Sequence, residues 1–215
     1  MAERFPDEFV TWHHKTPLGV EIDEVFGMDS REGKLWLEMA RQIFCEQGEE
    51  YREINHFENG APYIEGYPGR ISITHTKDFF AVAWLPKTPE VDLTTFNVTT
   101  ALGIDAEPID RTQVLKVRNR FLSDSELTMI PEENLAENVL AWTIKEALYK
   151  AAMTSGIDFR NNLRIIELPE IDKAPEKRGK KNLGQGEIVM ADGRSYEMRL
   201  YSYESYGCVI TVALF

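Results

Sequence analysis

The chain reads LGIDAE at residues 102–107 and WTIKEALYK at residues 142–150. The first stretch is an apolar run typical of a strand, in which side chains two apart share a face, so Asp105 and Glu107 point to the same side. The second has helical spacing, in which residues four apart share a face, so Glu146 and Lys150 project together. A helix packed against the strand end would therefore gather three carboxylates and one ammonium group.

Such a gathering indicates a site for a hard divalent cation with a phosphate held beside it, because carboxylate oxygens are the ligands that Mg²⁺ prefers. Asp105 and Glu107 repel each other unless a positive charge lies between them. The alternative is a solvated strand end and an ordinary surface pair of Glu146 with Lys150, worth roughly 0.2–0.5 kcal/mol. Pro108 is expected to end the strand.

Four blocks of sequence carry a family resemblance. In chain order they are ISITHT at 71–76, GIDAE at 103–107, RFLS at 120–123 followed by Glu126, and WTIKEALYKA at 142–151. Together they resemble the signature of the 4′-phosphopantetheinyl transferases. A chain of 215 residues is similar to the two-subdomain, surfactin-synthetase-activating-like kind and not to the short kind that assembles as a trimer. The resemblance implies a monomer with a pseudo-duplicated α+β fold, in which each half has a long helix packed on antiparallel strands.

The resemblance also implies an activity, the Mg²⁺-dependent transfer of 4′-phosphopantetheine from coenzyme A to a serine of an acyl or peptidyl carrier protein, with release of 3′,5′-ADP. Asp105, Glu107 and Glu146 would hold Mg²⁺, or Mn²⁺ in its place. Glu146 would also act as general base, and Lys150 would be the second catalytic residue. The residues expected to bind coenzyme A are Lys150 and the block Thr74, His75 and Thr76. Lys145 is assigned only a supporting or salt-bridging role, because it points about 100° away from Glu146.

One position departs from the family pattern. Ala61 stands in Gly-Ala-Pro where the family has Gly-Lys-Pro, whose lysine reaches a phosphate of coenzyme A. Arg70 and Lys77 are the candidates to replace it. The departure leaves open a catalytically silent carrier-protein-binding module, although such a module has no need for three acids together. A metal-dependent nuclease is a further alternative, but here the lysine follows its glutamate by four positions and not two.

Charge argues against nucleic acid as a partner, since the net charge is −12 and phosphate backbones require clustered lysine and arginine. The carrier proteins that this family modifies are typically acidic, so docking would need a local basic patch. The segment with Arg111, Lys116, Arg118 and Arg120 is the better candidate, because it directly follows the proposed metal strand. The segment 173–181 is the alternative.

The sequence also bears on the cellular compartment of the protein and on its contact with membranes. Residues 1–8 contain no apolar core of the kind that a signal peptide needs, and the longest apolar stretch, 208–215, is too short to span a bilayer. Cys45 and Cys208 are expected to be free thiols. These features predict a cytoplasmic protein without membrane contact.

The pattern predicts two halves, 1–97 and 98–215, joined over 86–97. Expected in the first are a strand at 10–14 with His13 and His14 in structural roles, a helix over 29–47, a loop over 48–60 and a β-hairpin of 71–75 with 79–85. Expected in the second are a central strand over 98–107, helices over 109–120, from Ser123 to Pro131 and over 134–153, and a stop at Gly156. Strands at 163–168, 187–191, 195–203 and 208–215 follow, with a turn at Asp192-Gly193.

Overall fold

The computed structural model of the protein describes residues 10–27, 54–64, 69–85, 101–175 and 182–215. They form an α+β arrangement of two main sheets, antiparallel apart from one short parallel pair in the second, together with a short two-stranded sheet and three helices. The predicted helix over 29–47, the connection over 86–97 and the boundary between residues 97 and 98 lie outside these ranges, so the pseudo-duplication stays a prediction. None of the helices in the described ranges is long and apolar enough to cross a membrane.

The first sheet has four strands in the order β1-β2-β6-β5. They are β1 (Val10–Lys15), β2 (Glu21–Phe26), β5 (Ile71–His75) and β6 (Phe79–Trp84). The predicted hairpin of β5 and β6 is confirmed. Strand β2 is absent from the sequence prediction, because its acids interrupt the apolar pattern. Asp23 and Glu24 are nevertheless buried, since they pair with His13 and His14 of β1.

A second hairpin pairs β3 (Ile54–His56) with β4 (Pro62–Ile64). The prediction of a loop over 48–60 is therefore wrong at residues 54–56. Each strand is only three residues long and buries a single isoleucine, Ile54 or Ile64, so neither shows a measurable period. Gly60 makes the turn with a φ of +83°, a conformation that glycine adopts without steric cost.

The second sheet has the order β7-β12-β11-β10-β8, with β9 pairing beside β11. Its strands are β7 (Leu102–Pro108), β8 (Leu163–Glu167), β9 (Ile171–Asp172), β10 (Gly184–Val189), β11 (Ser195–Ser205) and β12 (Cys208–Leu214). The predicted central strand is thus an edge strand of its sheet. Pro108 ends β7 as predicted, and it is the last paired residue, opposite Cys208, as an edge strand permits. The turn at Asp192-Gly193 is confirmed.

Three helices follow β7: α1 (Gln113–Phe121), α2 (Asp124–Met129) and α3 (Leu135–Ala152). The capping box of Ser123 with Glu126 starts α2 as predicted. Helix α3 ends at Ala152, one residue before the predicted end, and its C-cap is Met153 in the left-handed conformation, with a φ of 49°, in place of Gly156. Gly103 lets α3 lie directly on β7, because a Cβ there would come within 1.9 Å of the carbonyl oxygen of Ala147.

Strand β7 is buried on both faces and at its outer edge. One hydrophobic cluster lies between the second sheet and the helices, and another lies between the two large sheets. The edge of β7 meets β5 through side chains, since Ser72 Oγ accepts from the Ile104 N–H at 3.1 Å and Thr74 Oγ1 accepts from the Ala106 N–H at 3.1 Å. Side-chain hydroxyls thus cover an edge that would otherwise leave backbone donors unpaired.

Candidate functional site

A cavity of about 320 Å³ opens where the two large sheets meet. Its wall is built from the β3–β4 hairpin, strands β5 and β7, and the C-terminal end of α3. This volume is in the range of small-molecule sites. Thr74, His75, Asp105 and Lys150, four residues singled out from the sequence, line it.

Lys150 joins the two edge strands beneath this cavity. Its Nζ donates to the carbonyl oxygen of Ile104 at 2.9 Å, to that of Ile73 at 3.3 Å and to Asp105 Oδ1 at 2.8 Å. The side chain is still 29% exposed. The position of an ammonium group here therefore depends on β5, β7 and α3 together.

Asp105 is the buried acid of the site. Its Oδ1 accepts from Lys150 and from Thr74 Oγ1 at 3.3 Å. Its Oδ2 has no partner, and across the described ranges it is the only buried side-chain nitrogen or oxygen in that condition. Burial raises the pKa of Asp105, and Lys150 opposes that shift. An unpartnered buried carboxylate oxygen is costly, which makes this atom a candidate ligand atom.

Glu107 is held by residues beyond its own strand. Its Oε1 accepts from the Arg111 guanidinium and from Trp142 Nε1, the latter at 3.0 Å. The Arg111 guanidinium also lies 6.0 Å from the centre of the Trp142 ring. Burial raises the pKa of Glu107, and the hydrogen bond from Arg111 opposes the shift. Arg111 thereby supplies the positive charge beside the second acid, a role that sequence spacing alone did not suggest.

Glu146 has a strongly perturbed acidity. The side chain is partly buried on the α3 face that carries Lys150. Burial, then the charge of Asp105, raises its pKa to about 7, while Lys150 opposes the shift and Glu107 adds to it. A carboxyl group with a pKa near neutrality can both accept and release a proton at physiological pH.

The three acids fit a divalent cation in the chemistry of their donors. Carboxylate oxygens suit Mg²⁺, and Asp105 Oδ2 is available to a ligand. Within the described part of the chain, no three His, Cys, Asp or Glu side chains lie close enough to form a ready-made ligand set. Lys150 and Arg111 each contact one oxygen of Asp105 and Glu107, respectively, so an ion would share these acids with the two cations.

The residues predicted to bind coenzyme A are not all at the cavity. Thr74, His75 and Lys150 line it, whereas Thr76 does not. The Thr76 N–H instead donates to the carbonyl oxygen of Phe79 at 2.7 Å in the β5–β6 turn. His75 is at the rim, where partial burial and the charge of Lys150 lower its pKa.

The cavity lining also distinguishes between Arg70 and Lys77, the two residues expected to replace the family's lysine at position 61. Ala61 and Arg70 both line the cavity. Lys77 is exposed in the β5–β6 turn and does not line it. Arg70 is therefore the candidate that lines the same cavity as Ala61.

Lys145 has the structural role expected of it. Its Nζ lies 2.8 Å from both carboxylate oxygens of Glu126, and both side chains are essentially inaccessible to solvent. Arg118, by contrast, does not belong to an exposed basic patch. It is buried, where it donates to Asn138 Oδ1 at 3.0 Å and to the carbonyl oxygen of Ile130 at 2.6 Å. Of the segment 111–120, Lys116 and Arg120 are the exposed cations.

Sequence reasoning missed the contribution of the β3–β4 hairpin. Asn59 in its turn donates to the carbonyl oxygen of Met153, so the hairpin is attached to the end of α3 beside the cavity. The left-handed conformation of Met153 is compatible with this contact but is not marked in the sequence by glycine. No local pattern could have found it, because the two residues are 94 positions apart.

Comparison with known proteins finds a match over part of the chain. Residues 101–197 match the family model for the 4′-phosphopantetheinyl transferase superfamily. The matched range begins before β7 and includes Asp105, Glu107, Glu146 and Lys150. The chain matches no curated protein. Residues 1–100, which contain His75 and Ala61, lie outside the matched range, so the two-subdomain kind stays a prediction.

Proposed function

We propose that the protein transfers 4′-phosphopantetheine from coenzyme A to a serine of a carrier protein. The observation that carries this proposal is the convergence of Asp105 and Lys150 at the wall of one cavity, with Glu107 and Glu146 electrostatically coupled to Asp105. All four residues lie in the range that is similar to the transferase superfamily. The same convergence argues against a silent carrier-binding module, which would gain nothing from three partly desolvated acids.

The charges at the cavity support an anionic ligand. Among the described residues that line it, Arg70 and Lys150 are cationic, and Asp105 has the only carboxylate. Cations at the cavity wall of a chain whose net charge is −12 suit the binding of a phosphate-rich molecule. Coenzyme A has a pyrophosphate and a 3′-phosphate, and the cavity could hold its nucleotide part.

The proposed reaction needs positioning and charge stabilisation more than covalent help. The serine oxygen of the carrier attacks the β-phosphorus of coenzyme A, and the bond from that phosphorus to the bridging pyrophosphate oxygen breaks. The pyrophosphate oxygen leaves on 3′,5′-ADP, and the serine proton passes to Glu146. A pKa of about 7 suits Glu146 to this role. Lys150 binds phosphate oxygens, and His75 lies at the rim, where it can contact the same ligand.

Mg²⁺, with Mn²⁺ as a substitute, would be held by Asp105, Glu107 and Glu146. When bound, the ion supplies positive charge that offsets the charge of the pyrophosphate. Asp105 and Glu107 already contact Lys150 and Arg111, respectively, so these cations lie beside the proposed ion site.

The first test is binding and transfer with defined substrates. Thermal unfolding of the protein should shift upwards with coenzyme A, and further when Mg²⁺ is added, because a ligand stabilises the state that binds it. Transfer is then measured by mass spectrometry on apo carrier proteins of fatty-acid, polyketide and peptide synthesis, with serine-to-alanine carriers as controls. Binding of coenzyme A without transfer to any carrier would favour the silent module. A shift with Mg²⁺ alone, together with cleavage of DNA, would favour the nuclease.

Carrier docking is proposed at Lys116 and Arg120. They lie four residues apart and are exposed on α1, the helix that follows the acids of β7. Charges farther apart than about 8 Å are largely screened at physiological salt, so two local cations can attract an acidic carrier despite the net charge.

Reversal of both charges, Lys116→Glu with Arg120→Glu, should raise the KM for carrier protein several-fold at low salt and leave coenzyme A affinity unchanged. Steady-state kinetics over a salt series measure it, with Lys173→Glu as the matched control on the other basic segment. A KM that rises only in the control variant would place docking at residues 173–181.

A further inference from the structure

The β3–β4 hairpin is a separate wall of the cavity. Its residues that line the cavity are His56, Asn59, Gly60, Ala61 and Pro62. Within the described ranges it forms a two-stranded sheet of its own, which pairs with neither of the two large sheets. Strand β4 lies beside β5, so that side of the hairpin is supported. Two strands of three residues are marginally stable without further contacts, so closure of the cavity depends on what holds the other side.

Asn59 connects the tip of the hairpin to the end of α3. Its Oδ1 accepts from the Ala61 N–H at 3.0 Å, which orders the turn, and its Nδ2 donates to the carbonyl oxygen of Met153. Met153 caps α3, so its carbonyl oxygen has no donor within the helix and needs one from elsewhere. One amide side chain thus shapes the turn and attaches it to the helix that carries Lys150.

The bond from Asn59 to Met153 lies between two cavities. One is the cavity of about 320 Å³ described above, and the other has a volume of about 530 Å³. Both are lined by Asn59, Met153 and Thr154. Glu58 and Ser155, which line only the second cavity, are exposed, so this cavity opens to the surface. Separation of the hairpin tip from α3 would therefore join the two cavities into one groove.

The backbone at the end of α3 is strained where the hairpin is attached. Met153 has a φ of 49°, a left-handed conformation that favours glycine and costs free energy in other residues. Such residues persist where the surrounding structure holds them, and they are common at ligand clamps. The bond from Asn59 is one of the contacts that hold Met153 in this conformation.

We infer that the β3–β4 hairpin is a lid over the cavity and that Asn59 is its latch. The tip separates from α3, a ligand passes through the second cavity, and the lid closes when Asn59 bonds to Met153 again. Asn59 is therefore a positioning residue that determines how long a ligand stays, and it takes no part in the chemistry. The inference deepens the proposed function, from which it takes coenzyme A as the ligand.

The test removes the latch and keeps the turn. In Asn59→Ser the hydroxyl can still accept from the Ala61 N–H, but the variant lacks the amide nitrogen that reaches Met153. Stopped-flow displacement measures the release of coenzyme A, and hydrogen exchange of the ligand-free protein follows the bonded N–H groups of Phe57 and Gly60. Loss of one neutral hydrogen bond should speed both release and exchange about 2- to 10-fold. With saturating coenzyme A, kcat should not fall, so the effect appears in KM.

Asn55→Ser is the matched control, since Asn55 belongs to the same hairpin and lines neither cavity. It should change neither release nor exchange. Asn59→Ala, which also removes the turn bond, should release coenzyme A at least as fast as Asn59→Ser, and thermal unfolding verifies that each variant is folded. Unchanged exchange in Asn59→Ser, equal increases in Asn59→Ser and Asn55→Ser, or faster exchange without faster release would each overturn the inference.

Failure of the proposed function gives a different result. Faster release of coenzyme A from Asn59→Ser, together with absence of transfer by the wild type, would overturn only the proposed function. If coenzyme A does not bind at all, the proposed function fails, and exchange at the hairpin in Asn59→Ser against Asn55→Ser alone decides for or against the lid.

Discussion

Helix α3 carries two lysines five positions apart, and each pairs with a carboxylate in a different way. Lys145 Nζ contacts both oxygens of Glu126 and the carbonyl oxygens of Phe159 and Leu163, and it is inaccessible to solvent. Glu126 also accepts from the N–H groups of Ser123 and Ile165, each at 2.7 Å. This pair is fully satisfied and joins α2, α3 and β8.

The pair of Lys150 with Asp105 is incomplete. Asp105 Oδ2 is buried without a partner, Lys150 is partly exposed, and both residues line a cavity. A pair that only stabilises a fold uses all its hydrogen-bonding capacity, whereas a pair at a binding site keeps some for a ligand. Both pairs share one local motif, a lysine on α3 with an acid nearby, so the motif does not identify the functional pair. The pair that belongs to a binding site is identified by the hydrogen-bonding capacity that the protein leaves unused.

Substitution of each lysine in turn should give the largest difference between the two pairs, measured as the loss in the free energy of unfolding. Lys145→Met leaves Glu126 buried without its counter-charge and should lower the free energy of unfolding by about 3–5 kcal/mol. Lys150→Met should cost less than about 1 kcal/mol, because the pKa of Asp105 is already raised and the acid can bind a proton instead. Urea unfolding at pH 7 measures both. Equal losses in the two variants would show that the two pairs serve the same purpose.

Removal of the incompletely satisfied acid should act on activity and not on folding. Asp105→Ala should lower transfer about 100-fold or more, the usual cost of one preorganised charged group at a reacting phosphate. The melting temperature should stay close to that of the wild type, since loss of the hydrogen bonds from Lys150 and Thr74 is offset by removal of a buried carboxylate oxygen without a partner. Transfer assays at limiting Mg²⁺ and thermal unfolding are the two readouts. Activity near wild type under those conditions would remove Asp105 from the site.

The smallest expected effect is on the pH dependence of the free energy of unfolding, to which Glu146 contributes. Its pKa is about 7 in the folded protein and 4.5 as an unperturbed group, so between these values the folded state keeps a proton that the unfolded state loses. Stability therefore falls as pH rises through this window. Glu146→Gln cannot ionise and should be more stable than the wild type at pH 8 by roughly 1–2 kcal/mol, with allowance for solvent screening of a partly exposed group.

The measurement is thermal or urea unfolding from pH 4 to pH 8 in metal-free buffer. The two proteins should have equal stability at pH 4 and diverge above pH 5. A gain of stability together with loss of transfer would mark Glu146 as a residue retained for function at a cost in stability. A constant difference across the whole pH range would mean that the pKa of Glu146 is not raised.

Several features followed from the sequence by itself because they depend only on local geometry. The side-chain period of an extended strand gave Asp105 and Glu107 a common face, and the helical period separated Lys150 from Lys145. The capping box at Ser123 and the long helix that begins after Asn134 depend on hydrogen bonds within a few residues. These elements were predicted to within one or two residues.

Only the tertiary structure decided which side chains are covered and by what. Spacing predicted a common basic segment, yet Arg118 is buried against Asn138 while Lys116 is exposed. Strand β7 looked central because it is apolar, but it is an edge strand that Ser72 and Thr74 of β5 cover. The physical reason is that burial, counter-charges and cavities arise between residues distant in the chain, whereas a period in the sequence specifies only the direction of a side chain.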